Sequence, residues 1–235
     1  MPIDNDNGKI NTPVHDDDEP TATYASPPCF MHELSPEYAM EMSCSKSADD
    51  DVKRWRKSER QRLIEMRLAI DADERAGFSD EIAKRLNLLL SDIKGAIIST
   101  YWPFRGEPDL RPWMEQVVAR GGQCALPLVV KSGHPLIFRC WKHGDPLERG
   151  VWNIPVPAAG PEVVPDIVIA PVVGFDQDCF RLGYGGGFFD RTLAGLSVKP
   201  KVVGVGYSSA EINTIYPQPH DIAMDTIVTE ARSIP

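Results

Sequence analysis

Apolar and polar positions alternate in three different ways along the chain. Residues 1–50 keep no sustained period of two or of 3.6 and are rich in Asp, Pro, Ser and Thr, with the run Asp16-Asp17-Asp18-Glu19-Pro20. This composition predicts a disordered acidic extension. One island interrupts it: Cys29, Phe30, Met31 and Leu34 within residues 26–34 supply apolar side chains suited to docking on the folded body or on a protein partner. From Asp51 the pattern becomes helical, with Val52, Trp55, Leu63, Met66 and Ile70 at three- and four-residue spacings and Lys or Arg at many positions between. Ser79, ahead of Asp80 and Glu81, predicts the cap of a second helix that runs to about Leu90 with Ile82, Leu86 and Leu89 on one face.

Short apolar runs then take over, separated by helix signals. They cover residues 96–98, 125–130, 136–138, 167–173, 202–205 and 226–228, with a helix expected over 110–119 that Gly121-Gly122 ends. Uninterrupted apolar strands alternating with helices are the mark of a sheet covered on both faces. The expected fold is a three-layer α/β/α sandwich around a mostly parallel, Rossmann-like sheet, with residues 51–235 forming a single α/β domain. Ligands in such folds sit beyond the carboxyl ends of the strands.

Composition narrows the function. The net charge of −9 belongs to the extension: residues 1–51 hold 12 acidic residues against Lys9 and Lys46, which leaves 22 acidic and 23 basic residues in the remainder. A body this close to neutrality gives no reason to expect nucleic acid or a membrane surface as partner. No run of apolar residues is long enough for a membrane span, and the acidic start is unlike a secretion signal, so a cytoplasmic location is expected. The five cysteines form no C-x-x-C pair and read as reduced thiols rather than a disulfide or zinc framework.

The strongest chemical signal is Arg181-Leu182-Gly183-Tyr184-Gly185-Gly186-Gly187-Phe188-Phe189-Asp190. Clustered glycines allow positive φ values and let backbone N–H groups converge on an anion, and a helix starting near Phe188 would add the positive end of its dipole. Arg181 offers a guanidinium to a phosphate and Asp190 a hard oxygen to Mg²⁺. The segment is neither a Walker A loop nor G-x-G-x-x-G, since no Gly-Lys-Ser/Thr follows and Phe188 stands where the last glycine would be. Glycine clusters also serve as plain turns. Tyr101-Trp102-Pro103-Phe104-Arg105-Gly106-Glu107 combines rings able to stack a flat heterocycle with a carboxylate for ring nitrogens; alternatively the rings are core and Glu107 opens a helix. Arg56 and Arg60, four residues apart, share a helix face that is either solvated or turned to phosphate. Asp225, before residues 226–228, is either a second metal carboxylate or a surface turn residue.

Taken in order, Arg56-x-x-x-Arg60, residues 101–109, Trp152-Asn153-Ile154-Pro155, Phe175-Asp176, the glycine-rich segment, His220-Asp221 and Met224-Asp225 resemble the 5-formyltetrahydrofolate cyclo-ligase family over about Trp55 to Glu230. The resemblance implies cyclisation of 5-formyltetrahydrofolate to 5,10-methenyltetrahydrofolate with ATP as co-substrate, Mg²⁺ as cofactor, and ADP and phosphate as products. It implies an ATP site of Arg56, Arg60, Arg181, Leu182, Gly183, Tyr184, Gly185, Gly186, Gly187, Phe188 and Phe189. Trp102, Phe104, Glu107, Trp152, Tyr184 and Phe188 would bind folate, Asp190 and Asp225 would bind Mg²⁺, and Arg181 and Tyr184 would be the catalytic groups. Departures are Arg56, where the family often carries Lys, with Lys53 and Lys57 as candidate substitutes, and Phe188-Phe189, where many relatives carry tyrosines. A non-catalytic folate- or nucleotide-binding regulator on the same fold is the alternative reading.

Overall fold

Five parallel strands make the middle of an eight-stranded sheet, and antiparallel strands close both of its ends. The computed structural model describes residues 36–235. Residues 1–35, most of the expected extension with its apolar island, lie outside the described residues. The elements are helices α1 (Pro36–Ala69), α2 (Ala72–Leu89), α3 (Arg111–Ala119) and α4 (Phe188–Gly195), and strands β1 (Ile97–Ser99), β2 (Gln123–Leu128), β3 (Ile137–Cys140), β4 (Leu147–Arg149), β5 (Pro155–Pro157), β6 (Glu162–Val163), β7 (Ile167–Pro171), β8 (Gly174–Phe175), β9 (Arg181–Leu182), β10 (Lys201–Val205), β11 (Thr226–Val228) and β12 (Ser233–Ile234). The main sheet has the order β12-β11-β10-β7-β1-β2-β3-β6. Pairing is parallel from β11 through β10, β7 and β1 to β2 and antiparallel at β12, β3 and β6.

Strand alternation divides the core between the two faces. Ile98, Leu126, Ile169, Val203 and Val228 point to one side, where Ile82, Leu86 and Leu90 at α2 and Trp113, Met114 and Val117 of α3 cover them. Val168, Ala170, Val202 and Ile227 point to the other and meet Leu193 of α4, with Phe188 and Phe189 at the margin. The three layers expected from the apolar runs are therefore present. A third, smaller cluster joins Leu63 of α1 to Val173, Leu182 and Ile215.

Two helices differ from the sequence expectation. α1 starts at Pro36 rather than Asp51; Glu37, Ala39, Met40, Glu41 and Met42 are good helix formers, and proline is tolerated in a first turn. Its buried face is also not the apolar one: Arg56 and Arg67 are 8% and 5% exposed beside Leu63, whereas Met66 is 39% and Leu68 51% exposed. α2 begins earlier, at Ala72, because Asp71 caps it by accepting the Glu74 amide at 2.9 Å. Ser79, the expected cap, lies inside that helix and donates to the Arg75 carbonyl while accepting the Asp109 amide.

The hairpin β8–β9 sets the exit of the chain toward the glycine-rich loop. Asp176, 2% exposed, accepts the amides of Phe180 and Ile215, each at 3.0 Å, and so locks the hairpin turn to the segment beneath it. Among the described residues Cys124, Cys140 and Cys179 are free thiols, and no helix is long and apolar enough to cross a membrane.

Candidate active site

Beyond the carboxyl ends of β1, β2 and β7 lies a cavity of about 450 Å³, bordered by Tyr101, Trp102, Val129 and Pro171 from those ends. One wall is the arginine face of α1, and the glycine-rich loop lines the cavity as well.

Arginines Arg56, Arg60 and Arg67 recur on α1 at spacings of four and seven, so they form one column. Arg56 holds both oxygens of Asp221, at 2.7 and 3.0 Å. Arg60 donates through Nε to the Gly183 carbonyl at 2.6 Å and lies flat against the loop, where a Cβ on Gly185 would meet its Cζ at 3.4 Å. Burial, and then the Arg56 charge, lower the pKa of Arg60 from its usual value, the mark of a cation placed beside another cation.

The loop runs from β9 into α4 with Gly185 and Gly187 at φ values of 91° and 61°. Gly187 caps α4 from the left-handed region, which disfavours any other side chain there, and a Cβ would also push the Arg191 guanidinium aside. Arg181 pairs with Asp190 at 2.7 Å and lies over the Phe189 ring, its Cζ 5.1 Å from the centroid. Arg191 reaches back to the Gly186 carbonyl and stacks on Phe188. Among the described residues the only buried side-chain N–H groups without an acceptor are the Nε atoms of Arg56, Arg181 and Arg191. Arg56 and Arg181 line the cavity and Arg191 backs the loop from outside the lining, so guanidinium charge gathers at the end of the cavity suited to an anion.

The other half of the cavity is aromatic and ends in a buried carboxylate. Arg105 and Gly106 take φ values of 47° and 75°, folding residues 104–107 into a tight turn in which Glu107 Oε2 accepts the Phe104 amide at 2.9 Å. Tyr184 donates its hydroxyl proton to Glu107 Oε1 at 3.0 Å, and Arg67 donates to the same hydroxyl. Burial pushes Glu107 up to about 7, with Arg67 pulling the other way. Burial likewise raises Tyr184 far above the ordinary phenol range, so this side chain acts as a neutral hydrogen-bond donor. Trp102 meets Trp141 edge to face with ring centroids 5.6 Å apart, and Trp152, 55% exposed, stands at the mouth with its ring edge to Phe188. Trp152 and Asn153 both occupy the left-handed region, at φ 57° and 62°.

The sequence profile of the 5-formyltetrahydrofolate cyclo-ligase family matches residues 52–230, a span that takes in both halves of this cavity. The chain belongs to that family. It is 27% identical over 180 residues to the 5-formyltetrahydrofolate cyclo-ligase of Mycolicibacterium smegmatis, covering 73% of this chain and 92% of the relative. It is 26% identical over 177 residues to that of Escherichia coli K12, covering 72% and 97%. The structure of Aquifex aeolicus 5,10-methenyltetrahydrofolate synthetase superposes with a TM-score of 0.67 at 28% identity over 76% of this chain and 91% of that one. The Mycoplasma pneumoniae synthetase, at 21% identity and a TM-score of 0.63 over 74% and 98%, shares the fold.

Within this cyclo-ligase cavity the structure gathers Arg56, Arg60, Trp102, Phe104, Glu107, Trp152, Arg181, Gly183, Tyr184, Gly185, Gly186, Gly187, Phe188, Phe189 and Asp190, together with Lys53 but not Lys57. Two expected residues fall elsewhere. Leu182 is wholly buried in the cluster with Leu63, behind the loop. Asp225 precedes β11 at the amino end of the sheet, exposed, and its carboxylate accepts the Val202 amide at 2.6 Å. A parallel strand puts its first residue a full strand length from the carboxyl-end cavity, so Asp225 does not line it. Asp221, by contrast, lines the cavity, while Arg67 and Arg191, outside the lining, reach the Tyr184 hydroxyl and the Gly186 carbonyl from behind it. The carboxylate of His220-Asp221 was in the quoted motif but carried no role. Glu107 does not open a helix either: α3 starts at Arg111, with Pro112 in its first turn.

Proposed function

We propose that this chain closes the ring of 5-formyltetrahydrofolate to 5,10-methenyltetrahydrofolate, consuming ATP with Mg²⁺ and releasing ADP and phosphate. The observation that carries this reading is the joining, in one cavity, of a glycine loop backed by unsatisfied guanidinium donors to an aromatic pocket ending in a buried carboxylate. Family membership and the cyclo-ligase relatives support the same reaction.

The residues present fit both ATP and Mg²⁺. Arg56 and Arg181, each lining the cavity with an unpartnered Nε, and the two positive-φ glycines suit a polyphosphate. Among the described residues no group of three His, Cys, Asp or Glu side chains is arranged to hold a metal. Mg²⁺ commonly takes one or two carboxylates and completes its shell with phosphate oxygens and water; Asp190, a hard donor lining the cavity, would hold it, with Asp221, whose oxygens already meet Arg56, beside it. Bound there, the ion would neutralise charge on the phosphates.

In the reaction the formyl oxygen attacks the γ-phosphorus and ADP departs, leaving an iminium phosphate at N5. N10 then adds to the activated carbon, loses its proton, and phosphate leaves. No protein nucleophile enters. The chain's part is alignment and charge: Arg60 fixes the loop through Gly183, Arg56 and Arg181 meet phosphate oxygens, and Glu107 accepts hydrogen bonds from the pterin. Tyr184, assigned a catalytic role by resemblance, acts here by orienting Glu107. Free thiols at Cys124, Cys140 and Cys179 accord with a reducing, cytoplasmic setting.

An absorbance assay of methenyltetrahydrofolate formation from 5-formyltetrahydrofolate tests the proposal. Product is expected only with both ATP and Mg²⁺ present; a folded sample that binds both ligands and yields none would make the chain a binding protein.

A further inference from the structure

Arg67 is a buried cation that does not line the cavity, yet each of its three nitrogens makes a hydrogen bond behind the aromatic half of it. Its Nε donates to the Arg105 carbonyl at 2.9 Å, one terminal nitrogen reaches the Val172 carbonyl at 3.5 Å, and the other donates to the Tyr184 hydroxyl. Its charge lies 4.0 Å from Glu107 Oε1, and its Cζ sits 5.7 Å from the centre of the Tyr184 ring. A guanidinium so deeply buried is costly to keep, and a branched apolar side chain would fill the space more cheaply.

A hydroxyl has one proton to give. Because Arg67 occupies the Tyr184 oxygen as a donor, that proton must go outward, and Glu107 Oε1 at 3.0 Å is nearer and better charged than the Phe104 carbonyl at 3.4 Å. Glu107 Oε2 is meanwhile fixed by the Phe104 amide. Each carboxylate oxygen thus keeps acceptor capacity for one further donor, which matches the two parallel donors of a reduced pterin, its 2-amino group and N3–H.

We propose that Arg67 is a positioning residue for folate recognition, acting through the Tyr184 hydroxyl to hold Glu107 ionised and turned so that it accepts the pterin edge. This rests on the reading of Glu107 as the pterin acceptor. The groups that face Glu107 are Arg67 from α1, Tyr184 from the glycine loop, Tyr101 after β1 and Tyr207 after β10. Arg67 is the only cation among them. Burial carries Glu107 up to about 7 against the pull of Arg67, so loss of that charge moves its ionisation to higher pH.

The test is binding of 5-formyltetrahydrofolate without ATP, followed by titration calorimetry from pH 5.5 to 9. Wild-type affinity should rise through about pH 7 as Glu107 ionises. Arg67→Met should bind about tenfold more weakly at pH 7.5, recover toward pH 9, and bind a non-hydrolysable ATP analogue as before. Arg67→Lys should restore part of the shift. A folded Arg67→Met protein with the wild-type pH midpoint overturns the proposal. Should that variant not fold, Tyr184→Phe keeps both charges and removes only the relay; it should weaken folate binding several-fold, and unchanged binding overturns the proposal equally. Glu107→Gln separates the two levels: it should bind weakly and independently of pH, and wild-type affinity in that variant would instead remove Glu107 from the pterin site.

Discussion

Arg56 and Asp221, separated by 165 positions in the chain, form a bidentate pair in which both side chains are almost fully buried. Breaking such a pair from one side leaves a buried charge alone, at a cost of about 3–5 kcal/mol. Arg56→Ala and Asp221→Ala should each destabilise by that order, while the double variant should cost clearly less than their sum. Urea unfolding of the three variants measures the coupling. Burial would raise the Asp221 pKa, but the bond and charge of Arg56, the Gln218 amide and the His220 charge together outweigh it and hold the carboxyl below its usual 3.8. The stabilisation is therefore complete above that value and lost only as pH falls further, which leaves the pair intact at neutral pH.

Asp190 and Asp225 should respond oppositely to the same substitution. Asp190→Asn is expected to lower Mg²⁺-dependent turnover by about a hundredfold or more and to raise the Mg²⁺ concentration needed. Asp225→Asn should leave the Mg²⁺ titration unchanged and cost only about 1 kcal/mol in stability, from the weakened bond to the Val202 amide. Turnover measured against Mg²⁺ concentration in both variants decides between them.

Glu107 should make the fold itself sensitive to pH. Its folded pKa of about 7 lies above the ordinary 4.5, so its protonated form favours the native state at low pH and that benefit disappears as pH rises through about 7. Relative to Glu107→Gln, the wild type should lose up to roughly 3 kcal/mol between pH 4.5 and 8. Denaturant melts at several pH values check this; parallel curves for the two proteins would contradict it.

Deleting residues 1–35 should leave kcat and both KM values near wild type, because the family match begins only at residue 52 and, among the described residues, those lining the cavity lie at Val52 and beyond. Steady-state kinetics of the shortened chain test this. A large rise in one KM would assign that segment to the corresponding ligand.

Where local chemistry sufficed, the sequence was readable. The strand at residues 226–228 and the helix start at Phe188 coincide with β11 and α4, and the glycine cluster does lead into that helix with two positive φ values. Asp221 and Asp225 could not be told apart in this way, since only strand direction decides which carboxylate reaches the carboxyl-end mouth. Arg67 was hidden for a different reason: a charged residue on an amphipathic helix ordinarily faces water, and only its partners across the fold reveal that it is buried. The hairpins β8–β9 and β4–β5 have strands of two and three residues, too short for any period to emerge. Ser79 ahead of Asp80 and Glu81 has the chemistry of a cap, but α2 already runs through it from the cap at Asp71.

The two outermost strands of the main sheet, β6 and β12, are two residues long each and run against their neighbours. So brief a free ladder offers an incoming strand almost no hydrogen bonds, and the sheet is self-terminating at both ends. A protein built on a long run of apolar β-structure thereby resists the edge-to-edge growth that leads to aggregates, without spending any surface charge near its cavity on that protection.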